Sequence, residues 1–373
     1  MCRSIKYVIG LLCCIYSSKY FSQSSLALEA NFGKIVHHKQ GLLYKIPKLT
    51  DGAILHFINE SDRGSAQARY WGNPHYVYSI AYTNFGDKEV LGSAYSALMG
   101  ISFNIFSTDF FQAKFNLSAG LAYLNKKYHI DLNPSNNAIG SHINSTTRFA
   151  INNTFRLSDK LHLRVGGSMV HFSNARTRSP NSGINAFTGD IGVGYRFISW
   201  KTKRTTKADS ISIPKREKLF AADIFYTYGI TNSGIPGGPQ YHLDIFGVGL
   251  AYAISPYINI LLGYEYDFNH LLFHFYWRNF RSRQEAHQLA ERHIVYVGSE
   301  LIFTKIAFRN QVGFYLPFFA RENPEKLYFK LMLMYYPFGH QHQVSPYLGV
   351  SMKSHFGVAE HVGLTLGSKI YLF

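Results

Sequence analysis

Cysteine is nearly absent from this chain of 373 residues, and all three copies, Cys2, Cys13 and Cys14, fall in the first fourteen positions. Whatever folds after them has no disulfide framework and no thiolate metal cage. Acidic residues are also scarce: 22 Asp and Glu stand against 38 Lys and Arg, for a formal charge of +16. Residues 1–23 carry Arg3, Lys6 and Lys19 and no acid, so the rest of the chain holds 16 − 3 = +13. Such an excess suits an anionic partner. No run of eighteen apolar residues follows the first segment, which excludes a membrane-spanning helix. There is no Gly-x-Ser-x-Gly elbow, no phosphate-binding Gly-rich loop and no zinc pattern. The neighbours His37–His38 and the His340-Gln-His342 run lack a carboxylate or thiolate partner nearby and are not read as metal ligands.

What the chain has in abundance is alternation. Arg3 and Lys6 precede the apolar run Tyr7–Tyr16 and then small polar residues, the pattern of a secretory signal, assigned to residues 1–23 with cleavage between Ser18 and Ala30. Export argues against nucleic acid as the anionic partner and leaves phosphorylated lipid headgroups. Leu26–His37 and Gly52–Asn59, within a lead-in of residues 24–75, read either as first strands or as a periplasmic lead-in. From His75 onward fourteen segments alternate apolar and polar residues: 76–84, 91–105, 112–128, 144–156, 161–173, 184–198, 218–230, 241–254, 257–269, 292–304, 306–318, 327–337, 344–353 and 361–373. Connections between them are by turns short (Ser107–Phe111, Ser158–Lys160, Ser255–Pro256) and long (Leu132–Ile143, Asn174–Gly183, Thr231–Gln240, His270–Glu291). Short turns on one side and long loops on the other are the habit of outer-membrane barrels. The expectation is an all-β, antiparallel outer-membrane β-barrel of fourteen strands, twelve to sixteen being the range, spanning residues 76–373. The long basic stretch Ser199–Arg216 breaks the rule by falling on the short-turn side, and it reads as a solvated loop. A short helix is expected within Trp277–Arg292. The last strand ends on Phe373 after an apolar face of Val362, Leu364, Leu366, Ile370 and Leu372, as the final strand of such barrels does.

One stretch stands out, residues 161–198. Leu161, Leu163, Val165, Gly167, Met169, His171 and Ser173 share one face of a strand, and His162, Arg164, Gly166 and Ser168 the other. The apolar face thus ends in a His and a Ser. On the next strand Asn185, Phe187, Ile191, Val193, Tyr195 and Phe197 share the apolar side, while Asp190 points into the barrel. His171, Ser173 and Asn185 therefore converge on the lipid-facing wall near one rim. A hydroxyl beside an imidazole is the minimum of an activated nucleophile. Polar residues at headgroup level are also harmless there, and the residues by themselves leave both readings open.

The run His171-Phe-Ser173-Asn174-Ala, followed by Pro180-Asn181-Ser-Gly183, resembles the active-site segment of the PagL family, outer-membrane lipid A 3-O-deacylases of acyloxyacyl-hydrolase type. The resemblance implies a serine esterase that removes an ester-linked acyl chain from lipid A, the membrane anchor of lipopolysaccharide, without metal or cofactor. It implies Ser173 as nucleophile, His171 as general base, and Asn174, Asn181 and the Gly183 backbone as loop-positioning or oxyanion groups. The family completes a Ser-His-Glu triad; fourteen residues after the His this chain has Asn185 instead, which can orient an imidazole but offers it no charge. Arg176 and Arg178, with Arg278, Arg281 and Arg283 further on, are candidates to hold lipid A phosphates. The close match covers about fifteen residues, and residues 199–373 lie beyond what a small family member needs. The alternative is a non-catalytic outer-membrane barrel, a channel or surface-binding protein, that retains the segment as architecture.

Overall fold

A computed structural model of the chain describes residues 24–37, 40–61, 65–197, 218–279, 281–316, 326–340 and 342–372. The expected signal segment 1–23, with its three cysteines, the whole of the basic stretch Ser199–Arg216, and Phe373 lie outside them. Among the described residues there are sixteen strands, and they close into two separate antiparallel barrels of eight, one in each of two compact units.

The first barrel consists of β1 (Ser24–Ile35), β2 (Thr50–Glu60), β3 (His75–Asn84), β4 (Ser93–Ser107), β5 (Phe111–Leu124), β6 (Ile143–Arg156), β7 (Leu161–Ser173) and β8 (Ile184–Arg196). Consecutive strands pair, and β1 pairs back onto β8 from Ser25↔Arg196 to Ile35↔Ala186. The second consists of β9 (Phe220–Asn232), β10 (Gln240–Ser255), β11 (Ile258–Asn269), β12 (Glu291–Phe303), β13 (Ile306–Tyr315), β14 (Leu327–Tyr335), β15 (Val344–His355) and β16 (Val358–Tyr371). It closes by β16 on β9, from Val362↔Ile230 to Tyr371↔Ala221. Three short helices lie in connections: α1 (Ala66–Tyr70), α2 (His270–Arg278) and α3 (Arg283–Ala290).

The expected single barrel of fourteen strands is thus corrected. The fourteen segments are β3–β16, and the two strands held loosely in the lead-in are β1 and β2. They are needed because six antiparallel strands, β3–β8, would leave two unpaired edges. The break comes after β8, where the long connection on the short-turn side separates two closed sheets. The helix expected within Trp277–Arg292 is α3, which starts at Arg283 and is capped by Ser282 Oγ accepting from the Glu285 N–H; α2, which ends at Arg278, precedes it and was not expected.

Alternation is faithful in both barrels. Along β8, Phe187, Ile191, Val193 and Tyr195 are exposed, while Ala186, Asp190, Gly194 and Arg196 are buried. Inside the first barrel Glu29 meets Arg164, His56 (3.3 Å) and Arg148 (3.7 Å), and Asp190 takes Arg148 at 2.7 Å. Inside the second, Glu300 meets Lys369, Arg309 (2.9 Å) and Asn259 (3.0 Å); Glu265 meets Lys330 (2.6 Å), and Asp267 meets Arg292 (2.6 Å) and Lys353 (2.9 Å). An eight-stranded barrel is only wide enough for its own side chains, and these charges are tolerated because they pair.

Removing one member of such a pair strands the other. Glu300→Gln leaves Arg309 and Lys369 short of a counter-charge and is expected to cost about 3–5 kcal/mol. The measurement is the urea midpoint at which the folded, heat-modifiable species is lost in detergent; a midpoint equal to that of the parent would show the network to be dispensable.

Candidate active site

The site grows from the pairing of β7 with β8. Both strands alternate, so register decides which outward residues become neighbours. The register places His171 directly opposite Asn185. On the other flank, Thr147 of β6 lies opposite His171 and Ser145 opposite Ser173. The outward wall therefore carries one polar patch across three strands, Ser145 and Thr147, His171 and Ser173, then Asn185, at the end of an apolar face formed by Leu161, Val165, Phe149, Ile151, Phe187 and Ile191. The predicted trio is brought together on the outer wall. Ser145 and Thr147 were missed, because only the β6–β7 register reveals them.

His171 Nδ1 and Asn185 Oδ1 are 2.5 Å apart. The amide oxygen can only accept, so the imidazole donates through Nδ1–H. Nε2 is then the unprotonated nitrogen, which is the tautomer a general base requires. The expectation that Asn185 can orient the ring thus has a geometric counterpart. Asp190, the acid nearest Asn185 in sequence, points inward and is taken by Arg148 (2.7 Å), Asn31 Nδ2 (2.7 Å) and Thr188 Oγ1 (2.8 Å), so it does not reach the histidine. Ser145 Oγ donates to the Ser173 carbonyl at 2.7 Å, tying the end of β7 to β6.

Gly183 closes the far side of the imidazole. Its φ is +78°, a conformation that favours glycine, and a Cβ placed there would stand 3.0 Å from His171 Cε1 and 3.1 Å from the Phe172 carbonyl oxygen. The residue is thus needed twice, for its backbone angle and for the space it leaves the ring.

The connection that follows Ser173 is tied internally. The Asn174 N–H donates to Asn181 Oδ1 (3.1 Å), and Asn174 Nδ2 donates to Ser141 Oγ (3.0 Å) and to the Arg178 carbonyl (2.9 Å). Both donor groups of Asn174 are therefore engaged in holding the loop, and positioning is the role its geometry supports over oxyanion donation. Ala175 and Arg176 take positive φ values of 51° and 66°, a tight reversal that these bonds hold in place. Arg178 is exposed and Arg176 half-buried. Elsewhere, Arg278 ends α2, Arg281 is paired with Glu285 at 2.8 Å, and Arg283 opens α3.

These features can be set against known proteins. Residues 56–197 match the family model described as Lipid A 3-O-deacylase (PagL). The first barrel carries a PagL domain. The match runs from within β2 through β8 and spans 197 − 56 + 1 = 142 of the 373 residues. Among solved structures, the chain is similar to Neisserial surface protein A (9% identity, TM-score 0.33, covering 47% of this chain and 98% of that one). It is also similar to the outer membrane enzyme PagL (16% identity, TM-score 0.29, covering 44% and 97%) and to Ail, the attachment invasion locus protein of Yersinia pestis (17%, TM-score 0.28, 47% and 97%). No curated protein matches.

Gly183→Ala is expected to cost about 1–3 kcal/mol in backbone strain and to push the imidazole off Asn185. The His171 ring resonances in detergent-solubilised protein, beside those of the parent, check this. An unshifted ring would show that the loop yields instead.

Proposed function

We propose that the first barrel is an outer-membrane serine esterase that removes an ester-linked acyl chain from lipid A. The observation that carries the reading is the His171–Asn185 bond on the outward wall (2.5 Å), with Ser173 two residues along the same face. The PagL match over the same strands agrees with it. On this reading residues 1–23 direct export, the apolar belts face lipid, and the polar patch sits at the level of the headgroups.

In the proposed reaction His171 Nε2 takes the Ser173 Oγ proton as the oxygen attacks the acyl ester carbonyl. The tetrahedral oxyanion is stabilised by backbone donors, and with Asn174 committed to the loop the Gly183 N–H is the candidate. His171 then returns the proton to the departing sugar hydroxyl. Water, deprotonated by the same nitrogen, releases the fatty acid from the acyl-enzyme. The steps call for no metal or cofactor. Arg176 and Arg178 offer forked donors for lipid A phosphates, in keeping with the positive balance of the chain.

Asn185 favours a second reading, a barrel that kept the segment without the activity. The filled interiors argue against its channel form and narrow it to a surface-binding protein.

Mass spectrometry of lipid A from cells producing the protein, beside cells producing Ser173→Ala, separates the two. Loss of one acyl chain with the parent alone is the expected result. Unchanged lipid A from both, with the protein folded in the outer membrane, would overturn the esterase. Restoring the carboxylate by Asn185→Glu should raise the deacylation rate about tenfold, the difference of ~1.4 kcal/mol between a neutral and a charge-assisted hydrogen bond to the imidazolium. A rate equal to the parent or below it would mean that this wall is built around the amide.

A further inference from the structure

The outer wall of the second barrel has a polar cluster of its own. His242 and Asp244 lie on the outward face of β10, at the head of an exposed apolar run of Phe246, Val248, Leu250 and Tyr252. His270, the first residue of α2, reaches the same point. His270 Nε2 stands 3.0 Å and His242 Nε2 3.6 Å from a single oxygen, Asp244 Oδ2. The other oxygen, Oδ1, is held by the Tyr226 hydroxyl at 2.6 Å. The two imidazole centroids are 3.6 Å apart, and the His242 ring stacks on Tyr228.

From this arrangement we propose that His242, Asp244 and His270 form a binding site for a divalent transition-metal ion of the zinc class. The donor atoms all lie within 4.8 Å of one another. Tetrahedral zinc with imidazole and carboxylate donors sets its ligand atoms about 3.3 Å apart, so the observed 3.0 and 3.6 Å separations bracket what an ion needs with little movement. Neutral imidazoles would each donate an Nε2–H to Oδ2, which accepts both; with the Nε2 atoms unprotonated, the same three atoms present two imidazole donors and one carboxylate donor to a cation. A cation among the three atoms uses all of them. Tyr226 then does what a supporting hydrogen bond does for a ligating carboxylate: it occupies the free oxygen and fixes the rotamer. Two nitrogens and one oxygen suit zinc, nickel or copper over calcium or magnesium. The three side chains are 26–41% exposed, so the ion can enter from solution and a fourth position is open to water or another ligand. Bound metal would brace the start of α2 against β10 and so fix the 270–290 connection. None of this depends on the esterase reading.

The test uses the full chain without an added polyhistidine tag, in detergent micelles, titrated calorimetrically with zinc chloride. One ion per chain with Kd tighter than about 10 µM is expected. His242→Gln and His270→Gln should each weaken binding by more than about tenfold and Tyr226→Phe by about tenfold, with His342→Gln unchanged. In the unaltered protein, zinc should slow diethylpyrocarbonate modification of His242 and His270 while leaving His287 reactive. The proposal falls if no ion binds, if binding survives both histidine variants, or if zinc protects neither ring.

Discussion

Closure of the hydrogen-bonded ladder is the constraint on which the rest of this structure depends. A strand pair satisfies only half of each inner backbone, and in hydrocarbon an unpaired amide costs several kcal/mol. The antiparallel sheets end that problem by returning on themselves, β1 on β8 over eleven register positions and β16 on β9 over ten. Once closed, the outside is free to be as apolar as its solvent demands, and it is: Leu28, Ile80, Leu121, Val193, Leu250 and Leu364 are each more than half exposed.

Closure at eight strands has a second consequence. The interior has room for side chains and little else. Arg309, Lys330, Lys353 and Lys369 are fully buried and each meets a buried carboxylate. Neither lumen is a place for a substrate the size of a glycolipid. On the proposed reading, chemistry on such a substrate belongs to the outer wall, near the rim, where the apolar stripe gives way to polar residues. In the first barrel that level holds His171, Ser173 and Asn185; in the second it holds His242 and Asp244.

Much of this was legible in the sequence, because period-two alternation is a local signal. It located the strands from β3 to β16 and put His171, Ser173 and Asn185 on one face. It was weaker at β2, where Ile54 and Ile58 point inward against Leu55 and Phe57 pointing outward, so the contrast between faces is lost. What alternation could not carry is the number of strands in a closure, since each strand reads the same in a barrel of eight or of fourteen. The clue was the long basic connection on the short-turn side, which separates two sheets and reads equally well as a loop within one. Register is a further long-range quantity. Asn185 was found because it shares the apolar face of its strand and stands fourteen residues after the histidine of the PagL-like run, whereas Ser145 and Thr147 lie on β6, beyond the short turn 157–160, where hydroxyl residues carry no signal until the register is known. His270 lay further out of reach, since a helix start meets a strand on the far side of β11.

In the proposed esterase, an Asn185 in place of a triad carboxylate fits its surroundings. A carboxylate on a wall facing lipid carries a desolvation cost that only the imidazolium of the reacting state repays. The amide carries less, yet through Oδ1 it still accepts from Nδ1–H and holds the ring. An asparagine that presented its NH2 instead would force the proton to Nε2 and remove the base altogether. The hydrogen-bond direction here is the productive one, so the substitution keeps orientation and tautomer and gives up only charge. In the proposed esterase that loss falls on the transition state, where the imidazole becomes cationic, and leaves the resting geometry intact. On the proposed reading this wall is a catalyst of reduced driving force, and its rate should respond to Asn185 more than to any other single position apart from Ser173 and His171.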